Sequence, residues 1–145
     1  MLGTSDIGIR LLVNGTEKVI TPLGKGQYIW PRLSPDGKRI VAVEMDRGAF
    51  IADINGANAV SIGRVNAPQW TRSGGWVIGM DDRDDGHSVT GSEIVAVSAD
   101  GTRRVLLTDS KNVHEMFPAV SPAEDVIVAV TVDGTVLKLT YEEGR

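Results

Sequence analysis

Residues 28–43 read YIWPRLSPDGKRIVAV, and this stretch decides the fold because the chain repeats it. An apolar segment runs into the tetrapeptide Ser34-Pro35-Asp36-Gly37, and a second apolar segment follows at once. Proline holds φ at about −65° and glycine accepts a positive φ, so the tetrapeptide favours a tight turn between two strands. The stretch therefore predicts a β-hairpin.

Two further copies align with the first on its proline. Residues 65–80 read VNAPQWTRSGGWVIGM, and residues 116–130 read MFPAVSPAEDVIVAV. Between the copies, two strands joined by an Asn-Gly or Asp-Gly turn recur at residues 9–21, 50–62 and 94–108. These dipeptides favour the primed turns of β-hairpins. The chain is therefore predicted to repeat one unit of four strands, which we call a, b, c and d.

The strands carry the pattern of sheets that are covered on both sides. Helical periodicity is absent, and residues 40–43 and 126–130 are apolar at consecutive positions instead of alternating. Four-stranded antiparallel units of about 40 residues with two covered faces are typical of β-propeller blades, whereas a β-sandwich alternates more clearly. The predicted fold class is all-β, with blades of four antiparallel strands and about half of a six-bladed ring in the chain.

The repeats also give the predicted domain organisation. At 145 residues the chain is long enough for one domain with its own core. We predict a single partial propeller domain over residues 1–145. It contains thirteen strands, in a c–d half-blade at 7–21, blades at 28–62 and 66–108, and an a–b–c partial blade at 115–140.

Composition excludes several classes of function. The net charge is −4 and the pI is near 5.1, which does not predict a broad basic surface for nucleic acid. The absence of cysteine excludes thiolate catalysis, zinc–thiolate sites and disulfides. No apolar run approaches the 18 residues of a membrane span, and residues 1–6 do not resemble a signal peptide. We expect a soluble chain without membrane insertion or a targeting signal.

The repeat resembles a known family. Trp30-Pro31, Ser34-Pro35-Asp36-Gly37 and Ile40, followed by a strand and an Asn-Gly turn, are similar to the repeat of TolB-like (WD-like) propellers, which also occurs in the propeller domains of prolyl-oligopeptidase-type peptidases. The resemblance covers residues 7–140 and weakens at Arg72-Ser73 and Ala123-Glu124. It implies a propeller that binds a partner, and a periplasmic or cell-envelope location for the parent protein. Members range from scaffold proteins to peptidase domains and lyases, so the repeat alone does not specify a chemistry.

Repeat spacing shows where residues were added to the scaffold. Pro31 and Pro68 are 37 residues apart, whereas Pro68 and Pro118 are 50 apart, an excess of 13. The turn glycines place eight extra residues between strands b and c and five between strands d and a. In an up-and-down blade both connections emerge on one face of the disc, which we call the insertion face. All the extra residues are therefore predicted to decorate that face.

The insertions contain the candidate ligand-binding residues. Oxygen-rich loops suit calcium, but an EF-hand-type loop beginning at Asp81 would put Arg83 at its third ligand position and Ser92 at its twelfth. We therefore predict no metal and no cofactor, with calcium the ion to consider first. A solvated hairpin at 81–92 with turn-forming aspartates is favoured over a polar ligand site. The candidates are Asp81, Asp82, Asp84, Asp85 and His87 in the first insertion, and His114 and Glu115 in the second.

No catalytic arrangement is recognisable. The sequence lacks a Gly-x-Ser-x-Gly elbow, and its two histidines have no placed nucleophile, so no enzyme is predicted. Trp30 and Phe117, just before the repeat proline, are interpreted as packing anchors. The predicted function is that of a non-enzymatic binding or scaffold propeller of a bacterial cell-envelope protein, with a protein or small polar ligand on the insertion face. The alternative is an accessory propeller domain of a peptidase or polysaccharide-degrading enzyme.

Half of a ring leaves open sheet faces, so the isolated chain is expected to self-associate. Thirteen strands allow a homodimer in which the last a–b strands of one copy and the first c–d strands of another share one blade. The alternative is that the chain is the C-terminal half of a longer propeller whose own sequence supplies the other blades.

Overall fold

The computed structural model of the chain describes residues 2–5 and 7–144. These residues form fourteen β-strands. The strands form four antiparallel sheets, in each of which every strand pairs with the next one along the chain. The strands are β1 (Leu2–Ser5), β2 (Gly8–Val13), β3 (Thr16–Ile20), β4 (Tyr28–Leu33), β5 (Arg39–Glu44), β6 (Gly48–Asp53), β7 (Val60–Gly63), β8 (Asn66–Trp70), β9 (Trp76–Asp84), β10 (Val89–Ser98), β11 (Arg104–Leu106), β12 (Glu115–Val120), β13 (Val126–Thr131) and β14 (Val136–Thr140).

The predicted fold class is confirmed. Sheets β4–β7 and β8–β11 are complete four-stranded meanders, flanked by the three-stranded sheets β1–β3 and β12–β14. The chain forms about half of a propeller ring. None of the described residues forms a helix long and apolar enough to cross a membrane.

The predicted strand count is wrong by one, at the N-terminal sheet. Strand β1 pairs with β2, so that Leu2 lies opposite Leu11 and Ser5 opposite Gly8. Residues 2–5 read LGTS, with one large apolar side chain, and so show neither alternation nor an apolar run. Because both three-stranded sheets contain a b and a c strand, two copies cannot share one four-stranded blade as the sequence suggested.

The apolar strands bury residues on both faces, as predicted. In β5, Val41 and Val43 pack against Val77 and Val95 of the next sheet. The alternate residues of β5 face the first sheet, in a cluster that includes Ile9, Leu11, Ile40, Ala42 and Phe50. A third cluster joins the last two sheets and includes Ile78, Met80, Ile94, Ile127 and Ala129. Face-to-face packing of neighbouring sheets therefore forms the core.

The a strands β4, β8 and β12, which we call the inner strands, each bend at the residue before the repeat proline. Trp30, Ala67 and Phe117 have φ values of 52°, 47° and 48°, and the pairing register shifts at each of them. A bulge of this kind increases the local twist of a strand. Trp30 packs against the core, but Phe117 is 53% exposed, so its interpretation as an anchor is wrong. Trp30 lies between two sheets, whereas no described sheet covers the outer side of β12.

Hydrogen bonds within the turns hold the blades in register. Ser34 and Ser98 donate their hydroxyls to Asp36 and Asp100, each at 2.6 Å from Oγ to Oδ1. The bond from Ser98, followed by those from Thr102, lowers the pKa of Asp100 to about 2. The Ser-Pro-Asp-Gly and Asp-Gly turns are therefore held by the aspartates that defined them in the sequence.

Candidate functional site

The insertion face carries a hairpin that is longer than its counterpart in the preceding sheet. Strands β9 and β10 have 9 and 10 residues, whereas β5 and β6 have 6 each. In the hairpin predicted at 81–92, only residues 85–88 lie outside the two strands. The ladder continues through the pairs Asp81–Glu93 and Asp82–Ser92, which satisfies the backbone groups that a loop would leave to water.

Asp81 lies among three arginines. Its Oδ2 is 3.0 Å from Nη2 of Arg104 and 4.0 Å from Nη2 of Arg83, and its Oδ1 is 3.9 Å from Nε of Arg64. The Asp81 side chain is 18% exposed, so these charges are only partly screened by water. The carboxylate is therefore neutralised by guanidinium groups.

The same arginines connect neighbouring sheets through backbone carbonyl groups. Nη2 of Arg104 donates to the carbonyl oxygen of Arg64 at 2.8 Å, and Nη1 of Arg64 donates to the carbonyl oxygen of Asp82 at 3.0 Å. Arg64 lies in the connection between β7 and β8, and Arg104 begins β11. The hairpin base is thus attached to the sheet before it. Sequence reasoning missed both arginines because nothing in the linear spacing shows that they approach Asp81.

Asp82 has a partner of its own on the inner strand. Nδ2 of Asn66 donates to Oδ1 of Asp82 at 2.7 Å. Asn66 begins β8, directly beside β9 in the same sheet. Asp81 and Asp82 therefore point to opposite faces of the sheet, and each has a structural partner. The structure does not bring these two carboxylates together.

Asp84 and Asp85 form the turn at the hairpin tip. Oδ1 of Asp84 accepts from the backbone N–H of Gly86 at 2.8 Å. Oδ1 of Asp85 accepts from the N–H groups of Ser88 and His87, at 2.8 and 2.9 Å. These bonds, that of Ser88 first, lower the pKa of Asp85. Both aspartates thus have the turn-forming contacts that the sequence favoured, and the His87 side chain is exposed beside them.

The two insertions lie side by side. The hydroxyl of Ser92 donates to the backbone carbonyl of Glu115, and Oε2 of Glu93 accepts from Oγ1 of Thr108 at 2.6 Å. His114 is half-buried next to Glu115. Glu115 is 2% exposed, and its Oε2 has no hydrogen-bond partner among the described residues. The second insertion therefore packs against the base of the hairpin, through Glu93 and Ser92.

Metal-ligand geometry is not formed by the predicted candidates. Residues 2–5 and 7–144 contain no group of three or more histidine, aspartate and glutamate side chains placed to hold an ion. The absence of a metal and of a cofactor stays a prediction, which calorimetry with calcium would test.

Exposed apolar residues lie on both sides of the hairpin. Met45 follows β5 and Val132 follows β13, at equivalent positions of the two flanking sheets, and they are 56% and 61% exposed. Val113, in the second insertion, is 37% exposed. Sequence reasoning missed them, although a large apolar residue at the same position of two b–c turns could have indicated an exposed apolar surface. The insertion face thus combines apolar side chains with a charged hairpin.

We expect Asp81 to contribute more to stability than the tip aspartates do. Asp81→Asn removes the charge that three arginines face and should lower the free energy of unfolding by about 1–2 kcal/mol. The double variant Asp84→Asn with Asp85→Asn keeps the oxygen acceptors of the turn and should unfold at nearly the same urea concentration as the parent. Urea unfolding measures both. Equal losses in the two variants would contradict the assignment of Asp81 as the neutralised residue.

Comparison with solved structures identifies similar folds. A putative TolB from Agrobacterium tumefaciens matches with a TM-score of 0.68 and 22% identity, over 90% of this chain and 49% of that one. The tricorn protease gives 0.65 and 13%, over 90% and 14% of the two chains. The β-propeller domain of Myceliophteria thermophila Cps50 (Swd1) gives 0.62 and 14%, over 94% and 48%.

These likenesses concern the fold alone, because every identity is below 25%. The chain spans about half the length of the putative TolB and of the Cps50 propeller domain. No protein-family model and no curated protein sequence matches the chain.

Proposed function

From the premise that the chain has a TolB-like β-propeller fold, we propose that it is a non-enzymatic binding domain whose insertion face takes a protein partner. The observation that carries this proposal is the pair of equivalent exposed residues, Met45 and Val132, on either side of the extended hairpin. Protein interfaces are enriched in methionine and aromatic residues at their centre and surround them with polar groups. The insertion face has an exposed methionine, Met45, and a charged hairpin that supplies the polar groups.

The hairpin supplies a rigid polar border to that surface. Asp81 and Asp82 fix its base to the sheet before it and to the inner strand of its own sheet. Thr108 and Ser110 fix its other strand through Glu93. A pre-ordered surface loses less conformational entropy on binding than a mobile loop. His87 and the tip carboxylates are exposed and therefore serve as contacts at the border of the interface.

We also propose a cell-envelope location for the parent protein, as the TolB-like repeat implies. The likeness to the putative TolB supports this location at the level of the fold. An accessory propeller domain of a peptidase is the second candidate, which the likeness to the tricorn protease favours. Fusion of the parent gene to alkaline phosphatase, which is active only after export, tests the location. An inactive fusion in a strain that exports a control fusion would contradict it.

Site-specific photo-crosslinking tests the binding face. A photoreactive residue replaces Met45, Val132 or, as the matched control, Leu33, which is 40% exposed at the turn that joins strands a and b on the opposite face. We expect Met45 and Val132, but not Leu33, to crosslink the same protein in cells.

The crosslinked protein is then purified, and its affinity for the chain is measured by calorimetry. Met45→Asp and Val132→Asp should each weaken binding about tenfold or more, because a charge replaces a buried apolar contact, while Leu33→Asp should not. Equal affinity in all three variants, or crosslinking from Leu33 alone, would show that the partner binds elsewhere.

A further inference from the structure

The outer face of sheet β12–β14 is built like the covered faces of the other sheets. Val128 occupies the position of Val41 in β5 and of Ile78 in β9, counted from the repeat proline. Val41 and Ile78 are 0% and 1% exposed, but Val128 is 39% exposed. We call the surface formed by Val126, Val128, Val130, Val136 and Lys138 the C-terminal end face. No described residue from another sheet covers this apolar surface.

One position of this face is charged where the other sheets are apolar. Lys138 lies opposite Val128, as Ile51 lies opposite Val41 and Ala96 opposite Ile78. Ile51 and Ala96 are 3% and 5% exposed, in the contacts between sheets. A lysine in such a contact is costly unless a carboxylate pairs with it. Whatever covers this face must therefore present apolar side chains around a negative charge.

The outer face of sheet β1–β3 presents that combination. We call the surface formed by Arg10, Leu12, Glu17 and Val19 the N-terminal end face. Val19 is 42% exposed, and Glu17 is about half-exposed, with its Oε1 2.7 Å from Nη2 of Arg10. Nε and Nη2 of Arg10 both donate to Oε1 of Glu17, at 3.1 and 2.7 Å, instead of one to each carboxylate oxygen.

The strand register indicates that Glu17 can reach across to a preceding sheet. Glu17 lies opposite Leu12 in the N-terminal sheet, as Arg104 lies opposite Val97 in the sheet β8–β11. Arg104 extends over the preceding sheet and donates to the carbonyl oxygen of Ile62 at 3.4 Å. A carboxylate at the same position is therefore directed toward the sheet that precedes it in a stack.

We propose that the C-terminal end face of one copy of this chain binds the N-terminal end face of a second copy, with Lys138 paired to Glu17. The contact repeats, between molecules, the sheet-on-sheet packing inside each chain. It is head to tail, because stacking two C-terminal end faces would bring Lys138 against Lys138. It involves neither Met45 nor Val132, so it stands or falls separately from the proposed protein-binding surface.

Light scattering coupled to gel filtration tests the contact on the purified chain. The parent is expected to show at least the mass of two chains at tens of micromolar. Val136→Asp, at a position that is 65% exposed, should weaken association about 30-fold or more, because it places an unpaired charge in an apolar contact. Val60→Asp, a 42% exposed valine on the outermost strand of an internal sheet, is the control and should associate like the parent.

Charge reversal tests the pairing and the orientation. Lys138→Glu and Glu17→Lys should each weaken association, and the variant that combines them should regain the parent mass. Circular dichroism and thermal unfolding confirm that each variant is folded. A parent chain that is monomeric at these concentrations would overturn the proposal, as would association that Glu17→Lys leaves unchanged or a combined variant without rescue.

Discussion

Replacement of Phe50 by alanine is expected to lower the free energy of unfolding by about 3–5 kcal/mol, which is the cost of removing a large buried aromatic side chain. Phe50 is 0% exposed and packs with Ile9, Leu11 and Ile40 between the first two sheets. Its ring also meets that of Tyr28 edge to face, with the ring centroids 5.7 Å apart. The substitution would therefore leave a cavity between two sheets whose contact depends on this side chain.

Phe117→Ala is the matched control for this experiment. Phe117 is 53% exposed, and alanine already occupies the equivalent bulge position at Ala67 with nearly the same φ. The expected loss is below about 1 kcal/mol. Urea unfolding followed by circular dichroism gives both values, and an unchanged slope shows that the compared states are the same. A Phe50→Ala loss as small as that of Phe117→Ala would contradict the packing of the first two sheets.

Replacement of Gly79 by alanine is the second change with a large expected effect. Gly79 lies in β9, below the extended hairpin, and a Cβ atom there would stand 2.4 Å from Cγ1 of Val65 and 2.8 Å from the carbonyl oxygen of Asn66. Neither distance is tolerable, and the second atom belongs to the backbone of the neighbouring strand. We expect a loss of about 2–3 kcal/mol through strain.

Gly91 provides the control on the same hairpin. An added Cβ at Gly91 would meet no atom within 4 Å, and the residue does not have a positive φ. Gly91→Ala should therefore change stability by less than about 0.5 kcal/mol. The denaturant midpoints of the Gly79→Ala and Gly91→Ala variants measure this difference in stability. Similar midpoints would mean that Val65 and Asn66 do not approach β9 as closely as the structure places them.

If Gly79→Ala acts as expected, it also tests the insertion face. The substitution moves β8 relative to β9, and Asn66 of β8 holds Asp82 at the hairpin base. A variant that folds but binds the crosslinked partner more weakly would connect the position of the hairpin to binding. The Gly91→Ala variant, closer to the tip, controls for a general effect of substitution in the hairpin.

The sequence predicted the blades because their determinants are local. The Ser-Pro-Asp-Gly turn, its Asp-Gly counterparts and the doubly apolar strands need only the residues next to them. Strand β1 was missed because Leu2 is its one large apolar residue, and its strand conformation comes from pairing with β2. A short segment of this kind acquires its structure from the neighbouring strand rather than from its own pattern.

The insertions were located correctly, but their structure was predicted only in part. Spacing placed both on one face, and Ser92 and Glu115 do meet there. The aspartates were grouped because they are adjacent in sequence, yet Asp81 and Asp82 lie on opposite faces of a strand. Side chains alternate along a strand, so adjacency separates them as soon as the segment is extended.

The sequence by itself therefore determined the repeat, its turns, the class of fold and the face that carries the added residues. These follow from φ preferences and hydrophobic pattern, which act over a few residues. Only the tertiary structure decided that Arg64 and Arg104 neutralise Asp81 and that Lys138 lies on an apolar face that no described sheet covers. Those facts depend on which strands become neighbours, because charge pairing and burial act across space between residues that the chain keeps far apart.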